Sequence, residues 1–393
     1  MRMLSWAAQF LAFRARLARR LAAPALVAPL FARADTSVAL SVARAPLPDW
    51  ALVRAQFARV ELDVKLACEG ATDADCPTWD HCAAPAAARR GARALGDEAE
   101  ALARARARAR SGITLTAECG NATTTRARGR RLEVGGAPHE LGRWVTPFRR
   151  RAGRWLTDVT SLAPALAAGA CSFELQAAAG GWVVDASLRY STRAAAADAD
   201  DDGGGGGGGV GEWGVPFELL PLVWPNAQTN FDSPAYNANR TLEFTVPPGT
   251  ARVALRALAS GHGGCEFAPT SHHYDVAAAG GAPAGAFNST DVARDRFMLA
   301  GSALGCAAQV ARGAEPNEHG TWYYGRDGWC DGMDVKPLVW DVSAALSLDP
   351  SVVNTITYHA LAYDVGGANP TEQGCGGGIL LSNSLAFYAA ESA

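Results

Sequence analysis

The chain has 393 residues, 49 % of them apolar, enough to build cores for two domains of ordinary size. Its net charge of −3 tells against a nucleic-acid polyanion as partner. Lys65 and Lys336 are the only lysines; the excess of arginine accompanies inflated Ala and Gly, so it reads as compositional bias.

An address comes first. Arg14, Arg16, Arg19 and Arg20 precede the apolar run LAAPALVAPLF, residues 21–31, and Ala32-Arg33-Ala34 follows before Asp35. The order basic, apolar, small is that of a secretory signal and predicts a leader over residues 1–34; an Arg-rich, acid-poor organellar transit peptide is the rival. The run is too short to span a bilayer, and no later stretch is long and apolar enough. Nine cysteines fit an oxidising compartment. So do three sequons, at Asn121, Asn239 and Asn288. The odd cysteine count leaves at least one thiol unpaired or paired between chains.

Strand alternation is the dominant pattern after the leader. RVELDVKLAC, 59–68, puts Val60, Leu62, Val64 and Leu66 on one face and charges on the other. WVVDASLRY, 182–190, alternates through Val184, Ala186, Leu188 and Tyr190. TLEFTVPPGTARVAL reads as strand, Pro-Pro-Gly turn, strand, and NTITYHALAY and ILLSNSLAFY end the chain in the same style. Short strands with Gly/Pro turns and no βαβ rhythm predict an antiparallel sandwich. Residues 83–131, rich in Ala and Arg, read as a helical or disordered insertion. The run AAAADADDDGGGGGGGVG, 194–211, reads as a flexible linker between two globular units, 35–193 and 212–393. RWLTDVTSLAPAL and PLVWDVSAALSL share an apolar-Asp-Val-Thr/Ser-apolar core, the echo expected of two similar sandwiches.

Three stretches carry chemistry. CPTWDHC, 76–82, offers Asp80 and His81 beside Trp79, with thiols that oxidise more readily than they hold zinc at a C-x₅-C spacing. An acid beside an aromatic suits sugar work, the ring stacking and the carboxylate moving protons; a solvated turn aspartate is the bland alternative. GHGGCEFAPTSHHYDV, 261–276, offers Glu266, His262, His272 and His273. Adjacent histidines in a strand point to opposite faces, so one ion does not take both. GTWYYGRDGWCDGMDVKP, 320–337, offers Trp322, Arg326 and Trp329 among glycines that permit close backbone approach. Its bland alternative is a tied loop whose aromatics are core.

These stretches together resemble the peptide-N-glycosidase F family, secreted amidases that remove N-glycans from asparagine. The residues that carry the resemblance are Cys68, Cys76-Pro-Thr-Trp-Asp80, GRWVTPF with LTDVT, GHGGCEF with HH, and LGC followed by GTW and GRDGWCDGMDV. The resemblance implies two adjacent antiparallel eight-stranded jelly-roll sandwiches with the site in the cleft between them. It implies Asp80 as the principal catalytic carboxylate and Glu266 as a supporting one. Trp79, His81, Trp322, Arg326, Trp329 and His272 would bind substrate, and Cys68–Cys76 and Cys306–Cys330 would be disulfides. No metal or other cofactor is implied. The partners expected are N-glycans or glycopeptides.

The sequence departs from the family pattern at three places. Ala178 stands where the family has a third carboxylate, with Glu174 four positions earlier; His81 replaces an arginine; and Ala268 replaces a cysteine. Two rival functions follow. One is a glycan-binding protein without turnover. The other is a copper- and ascorbate-dependent monooxygenase, whose paired jelly rolls are similar and which His272-His273 invites, although Met298 and Met333 are the only methionines past the expected leader. A structural surface protein is the bland third reading.

Overall fold

The structure is a computed structural model. It describes residues 11, 14–37, 40–69, 72–77, 113–119, 123–127, 130–134, 139–144, 146, 152–167, 170–177, 180–197, 213–222, 229–230, 240–262, 270–278, 286–288, 325–326, 329–330, 334–335, 337–362 and 378–390.

The first half opens with helix α1 (residues 14–22). Then come β1 (Leu26–Asp35), β2 (Leu40–Pro46), helix α2 (Trp50–Gln56), β3 (Arg59–Cys68), β4 (Ile113–Cys119), β5 (Thr123–Ala127), β6 (Arg130–Val134), β7 (His139–Trp144), β8 (Ala152–Asp158), β9 (Ala170–Ala177) and β10 (Trp182–Ser191). Two four-stranded antiparallel sheets form, in the orders β1-β10-β3-β8 and β2-β9-β4-β7, with β5 and β6 as a separate hairpin. The antiparallel sandwich expected from the alternation is present, with the eight strands that the resemblance implies. Val60, Leu62, Val64 and Leu66 of β3 and Val184, Ala186, Leu188 and Tyr190 of β10 line its core.

The second half holds β11 (Glu218–Pro221), β12 (Thr229–Asn230), β13 (Arg240–Phe244), β14 (Thr250–His262), β15 (Thr270–Ala278), β16 (Ala286–Asn288), β17 (Gly325–Arg326), β18 (Trp329–Cys330), β19 (Leu338–Asp341), β20 (Asn354–Ala362) and β21 (Gly378–Ala389). Its sheets run β11-β21-β14-β19, with β12 also on β21, and β13-β20-β15-β16; β17 and β18 pair with each other. Position for position, this repeats the order of the first half. The turn between β13 and β14 passes from one sheet to the other. Gly249 takes φ +84° after Pro248, the left-handed position of a type II turn. Thr250 closes it with N–H and hydroxyl bonds to the Pro247 carbonyl, at 3.2 and 2.7 Å.

The echoed motif is one local device built twice. In the first half the Asp158 carboxylate accepts from Thr160 N at 2.8 Å, Val159 N donates to the Val60 carbonyl at 2.9 Å, and Val60 N donates to Thr160 Oγ1 at 3.0 Å. In the second half Asp341 accepts from Ser343 N at 2.9 Å, Val342 N donates to the Val253 carbonyl at 3.0 Å, and Val253 N donates to Ser343 Oγ at 2.8 Å. In each, a strand ends on an aspartate whose carboxylate accepts from the first residue of a 3₁₀ turn, and the turn latches onto the neighbouring central strand.

Two expectations of the sequence are corrected. The first sandwich begins upstream of residue 35. Residues 26–34 of the expected leader, with Asp35, form β1, which pairs with β10 from Leu26↔Tyr190 to Asp35↔Val183 and buries Ala28, Leu30 and Phe31. Helix α1 covers the charged face of β3. Arg20 forms an ion pair with Glu61, only 3 % exposed, and Arg189 Nη2 bonds the carbonyls of Arg20, Leu21 and Ala23 at 3.1–3.3 Å, satisfying the end of the helix. The other buried acid of that face, Asp63, takes two bonds from Arg154, at 2.9 and 2.7 Å. Second, the insertion expected over 83–131 does not extend to 131. β4 lies within it as an inner strand with Leu115 and Ala117 in the core, and β5 and the start of β6 follow. The linker residues 198–211 lie outside the described residues.

Candidate active site and the seam between the sandwiches

The loop that leads to Asp80 is fixed up to Pro77. A disulfide joins Cys68, the last residue of β3, to Cys76, with Cα atoms 5.5 Å apart. Inside it, Thr72 donates from N and Oγ1 to Asp75 Oδ2, at 2.7 and 2.9 Å. Gly181 has φ +88°, and a Cβ there would lie 3.0 Å from Pro77 Cγ, so only glycine lets the loop seat against the start of β10. Trp79, Asp80 and His81 come next and lie outside the described residues.

The second acid leaves from the equivalent place. β14 stands in its sheet where β3 stands in the first, and Glu266 follows its last residue, His262, by four positions, again outside the described residues. His272 and His273 are on β15, opposite Ala360 and His359, so successive positions alternate faces as expected. Arg326 and Trp329 face each other as a register pair in the β17–β18 hairpin. Trp322, Ala178, Ala268 and Cys306 lie outside the described residues. Glu174 sits on β9 between Val42 and Thr116.

The structure also forms a disulfide that the sequence reading left unassigned. Cys119 and Cys171 are register partners on β4 and β9, with Cα atoms 4.3 Å apart. Nine cysteines permit too many pairings for spacing to choose among them. No helix among the described residues is long and apolar enough to cross a membrane.

Where the halves meet, apolar packing is continuous and two arginines, Arg143 and Arg256, are buried. The period of two divides β14 between two cores. Val253, Leu255 and Ala257 belong to the second-sandwich core, while Ala254 joins Leu219, Ala386 and Tyr388 in the core cluster of the first. Arg256 shares the face of Ala254 and is 1 % exposed. Its Nε and Nη2 have no hydrogen-bond partner among the described residues. Burial lowers its pKa to about 10, against the pull of Glu140 and Asp158 and with the push of Arg143. Arg143 is held by Glu140 through two bonds of 2.7 Å. His139 is driven down to about 4 by burial and by Arg256. Burial raises the Tyr388 hydroxyl, with Asp158 adding to the shift.

The chain also crosses the seam by backbone bonds. Trp144, at the end of β7, forms an antiparallel bridge with Asp334. Val335 N donates to the Arg143 carbonyl at 2.8 Å, and Thr157 Oγ1 donates to Asp334 Oδ2 at 2.9 Å. Sequence reasoning named none of these seam groups as functional. Arg256 did leave a trace, a charge between Ala254 and Leu258 on one face of β14.

Residues 230–385 match the family model described as Peptide-N-glycosidase F, C terminal. No curated protein matches the chain. Among solved structures, PNGase F of Flavobacterium meningosepticum, described as a glycosylasparaginase, is 14 % identical with a TM-score of 0.53, over 93 % of this chain and 96 % of that one. Recombinant peptide: N-glycanase F matches with the same figures. PNGF-II is 12 % identical with a TM-score of 0.53, over 94 % of this chain and 66 % of that one. The chain is thus similar over residues 230–385 to the C-terminal domain of peptide-N-glycosidase F, and over nearly its whole length it shares the fold of those solved structures.

Proposed function

We propose that the chain hydrolyses the amide that joins an N-glycan to asparagine, in glycoproteins or glycopeptides. The observation that carries this reading is the match of both halves, in one chain, to a protein described as a glycosylasparaginase, together with the family match over residues 230–385. Water adds to the side-chain amide carbon, the C–N bond breaks, and the products are an aspartyl peptide and a glycosylamine. Asp80 takes the proton from water and returns one to the leaving nitrogen, an exchange typically worth about 10²–10⁴-fold. Glu266 orients the water or the amide. Arg326 stabilises the charge that develops on the amide oxygen. Trp79, Trp322 and Trp329 stack on the sugar rings, with His81 and His272 at the edge of the same surface. The disulfides Cys68–Cys76 and Cys119–Cys171 fit an oxidising compartment and support a secreted or secretory-lumen protein; a Cys306–Cys330 bond would tie the third stretch in the same way.

Ala178, in place of a third carboxylate, favours a second reading: a glycan-binding protein on the same scaffold without turnover. Incubation with a defined N-glycopeptide in isotope-labelled water separates the two. Conversion of Asn to labelled Asp, lost in Asp80→Ala, is the expected result. Tight binding without conversion turns the site into a lectin, and neither binding nor conversion removes both readings.

A further inference from the structure

We infer that Asp334 is a positioning residue, a clasp that fastens the Arg326–Trp329 hairpin and the far end of β14 onto the first sandwich. Asp334 is a carboxylate only 5 % exposed, and Thr157, its donor from β8, is 2 % exposed. A buried carboxylate is tolerated where hydrogen bonds compensate its desolvation, so the Thr157 hydroxyl bond carries weight. Around it the backbone is tied on both sides, through the Trp144–Asp334 bridge and the Val335 N–H bond to Arg143. On the second sandwich, Val335 packs against Leu258 of β14, both fully buried. β19 runs antiparallel along β14 from Ala257↔Leu338 to Ala254↔Asp341, so the residues before Leu338 continue toward His262, the end from which Glu266 departs.

The hairpin is close in chain and in space. Cys330 precedes Asp334 by four residues, a reach of at most about 14 Å. β17 lies beside β14. One clasp therefore holds two things against the first sandwich: the strand that delivers Glu266 and the turn that presents Arg326 and Trp329. Elsewhere in the seam Arg256 has two donors without a partner among the described residues. The role in turnover rests on the amidase reading above; the clasp itself does not.

Two measurements on the full chain separate these. The first is hydrogen exchange of the peptide covering residues 325–335, which includes the Val335 amide, compared with peptides from β13 and β20. Thr157→Val keeps shape and removes the donor; it is expected to speed exchange at 325–335 roughly tenfold, with β13 and β20 unchanged, and Thr157→Ser is expected to restore the slow rate. Asp334→Ala is expected to do the same more strongly. Unchanged exchange at 325–335 in Thr157→Val, or an equal rise throughout the second sandwich, overturns the inference. Thr157→Val serves if Asp334→Ala does not fold.

The second is turnover of the glycopeptide. A misplaced Arg326 is expected to lower kcat about tenfold or more while KM moves little, with Thr157→Ser again restoring it. An unaltered kcat alongside faster exchange overturns the positioning role. A wild type without turnover removes the amidase reading and leaves the exchange result to decide the clasp.

Discussion

The two sandwiches share one strand order and one Asp-Val-Thr/Ser latch, yet they handle the charged face of the equivalent central strand in opposite ways. In the first, the acids Glu61 and Asp63 of β3 are neutralised within the sandwich, by Arg20 of α1 and by Arg154 of β8. In the second, Arg256 of β14 is turned toward the other half, among Glu140, Arg143 and Asp158. The repeated parts, latch and strand order, build each sandwich. The parts that differ build the junction. The same contrast extends to the connections after β3 and β14, which carry Asp80 and Glu266: one topological position supplies a different carboxylate from each half.

Removing residues 1–34 should break the first half most severely. It deletes nearly all of β1 and leaves Glu61 buried without Arg20, and breaking a buried ion pair costs about 3–5 kcal/mol by itself. Urea unfolding of the truncated chain should show loss of the cooperative transition, and Arg20→Met alone a clear drop in midpoint. A truncated chain as stable as the full one would mean that α1 and β1 are dispensable.

Disulfides sharpen the contrast next, because both described ones lie in the first half. Loop-closure entropy gives about 4 kcal/mol for Cys119–Cys171, which spans 52 residues, and about 2.5 for Cys68–Cys76, which spans 8. Paired serine substitutions compared by denaturant unfolding should follow that order.

Acid should act at the seam. His139 is neutral when folded, its pKa held at about 4 rather than 6.5. The unfolded chain therefore binds the extra proton. Stability from this group is complete above about pH 6.5, falls as pH drops toward 4, and changes no further below that. The total is of the order of 3 kcal/mol. His139→Gln should flatten stability against pH in that window.

The smallest effects should separate the two latches. Thr160→Val leaves the buried Val60 N–H without its acceptor and should cost about 1–3 kcal/mol. Ser343→Ala does the same to Val253 at a more accessible site and should cost about 1 kcal/mol. Equal costs would mean that the latches are energetically alike as well as geometrically alike.

Much of this was legible in the sequence, for physical reasons that can be named. A period of two marks half-buried strands wherever one face is apolar, which is why β3, β10, β20 and β21 were visible. The echo was visible because an aspartate and a hydroxyl two residues later must keep their spacing. β1 is hard to read as a strand because its partner β10 is some 150 residues away and its own residues have the order of a leader. β4 was hidden by the Ala/Arg run before it, although ITLTAEC alternates. The seam left almost no mark. Arg143 looks like a surface charge until the second half packs on it, and pattern within a strand does not say what packs on its far face. For the candidate site, the sequence supplied the residue types and the resemblance supplied the roles. The structure adds the anchors at Pro77, His262 and the β17–β18 hairpin.

The shared apolar cluster has a consequence for biosynthesis. Leu219, Ala254, Ala386 and Tyr388 complete the packing of the first sandwich, and all four come from the second half. A ribosome adding about 5–20 residues per second takes roughly 10–40 s to make the second half. Throughout that interval the nascent first half presents an uncovered greasy flank. Chaperone dependence during synthesis, rather than the resilience of the finished molecule, is where this architecture is most exposed.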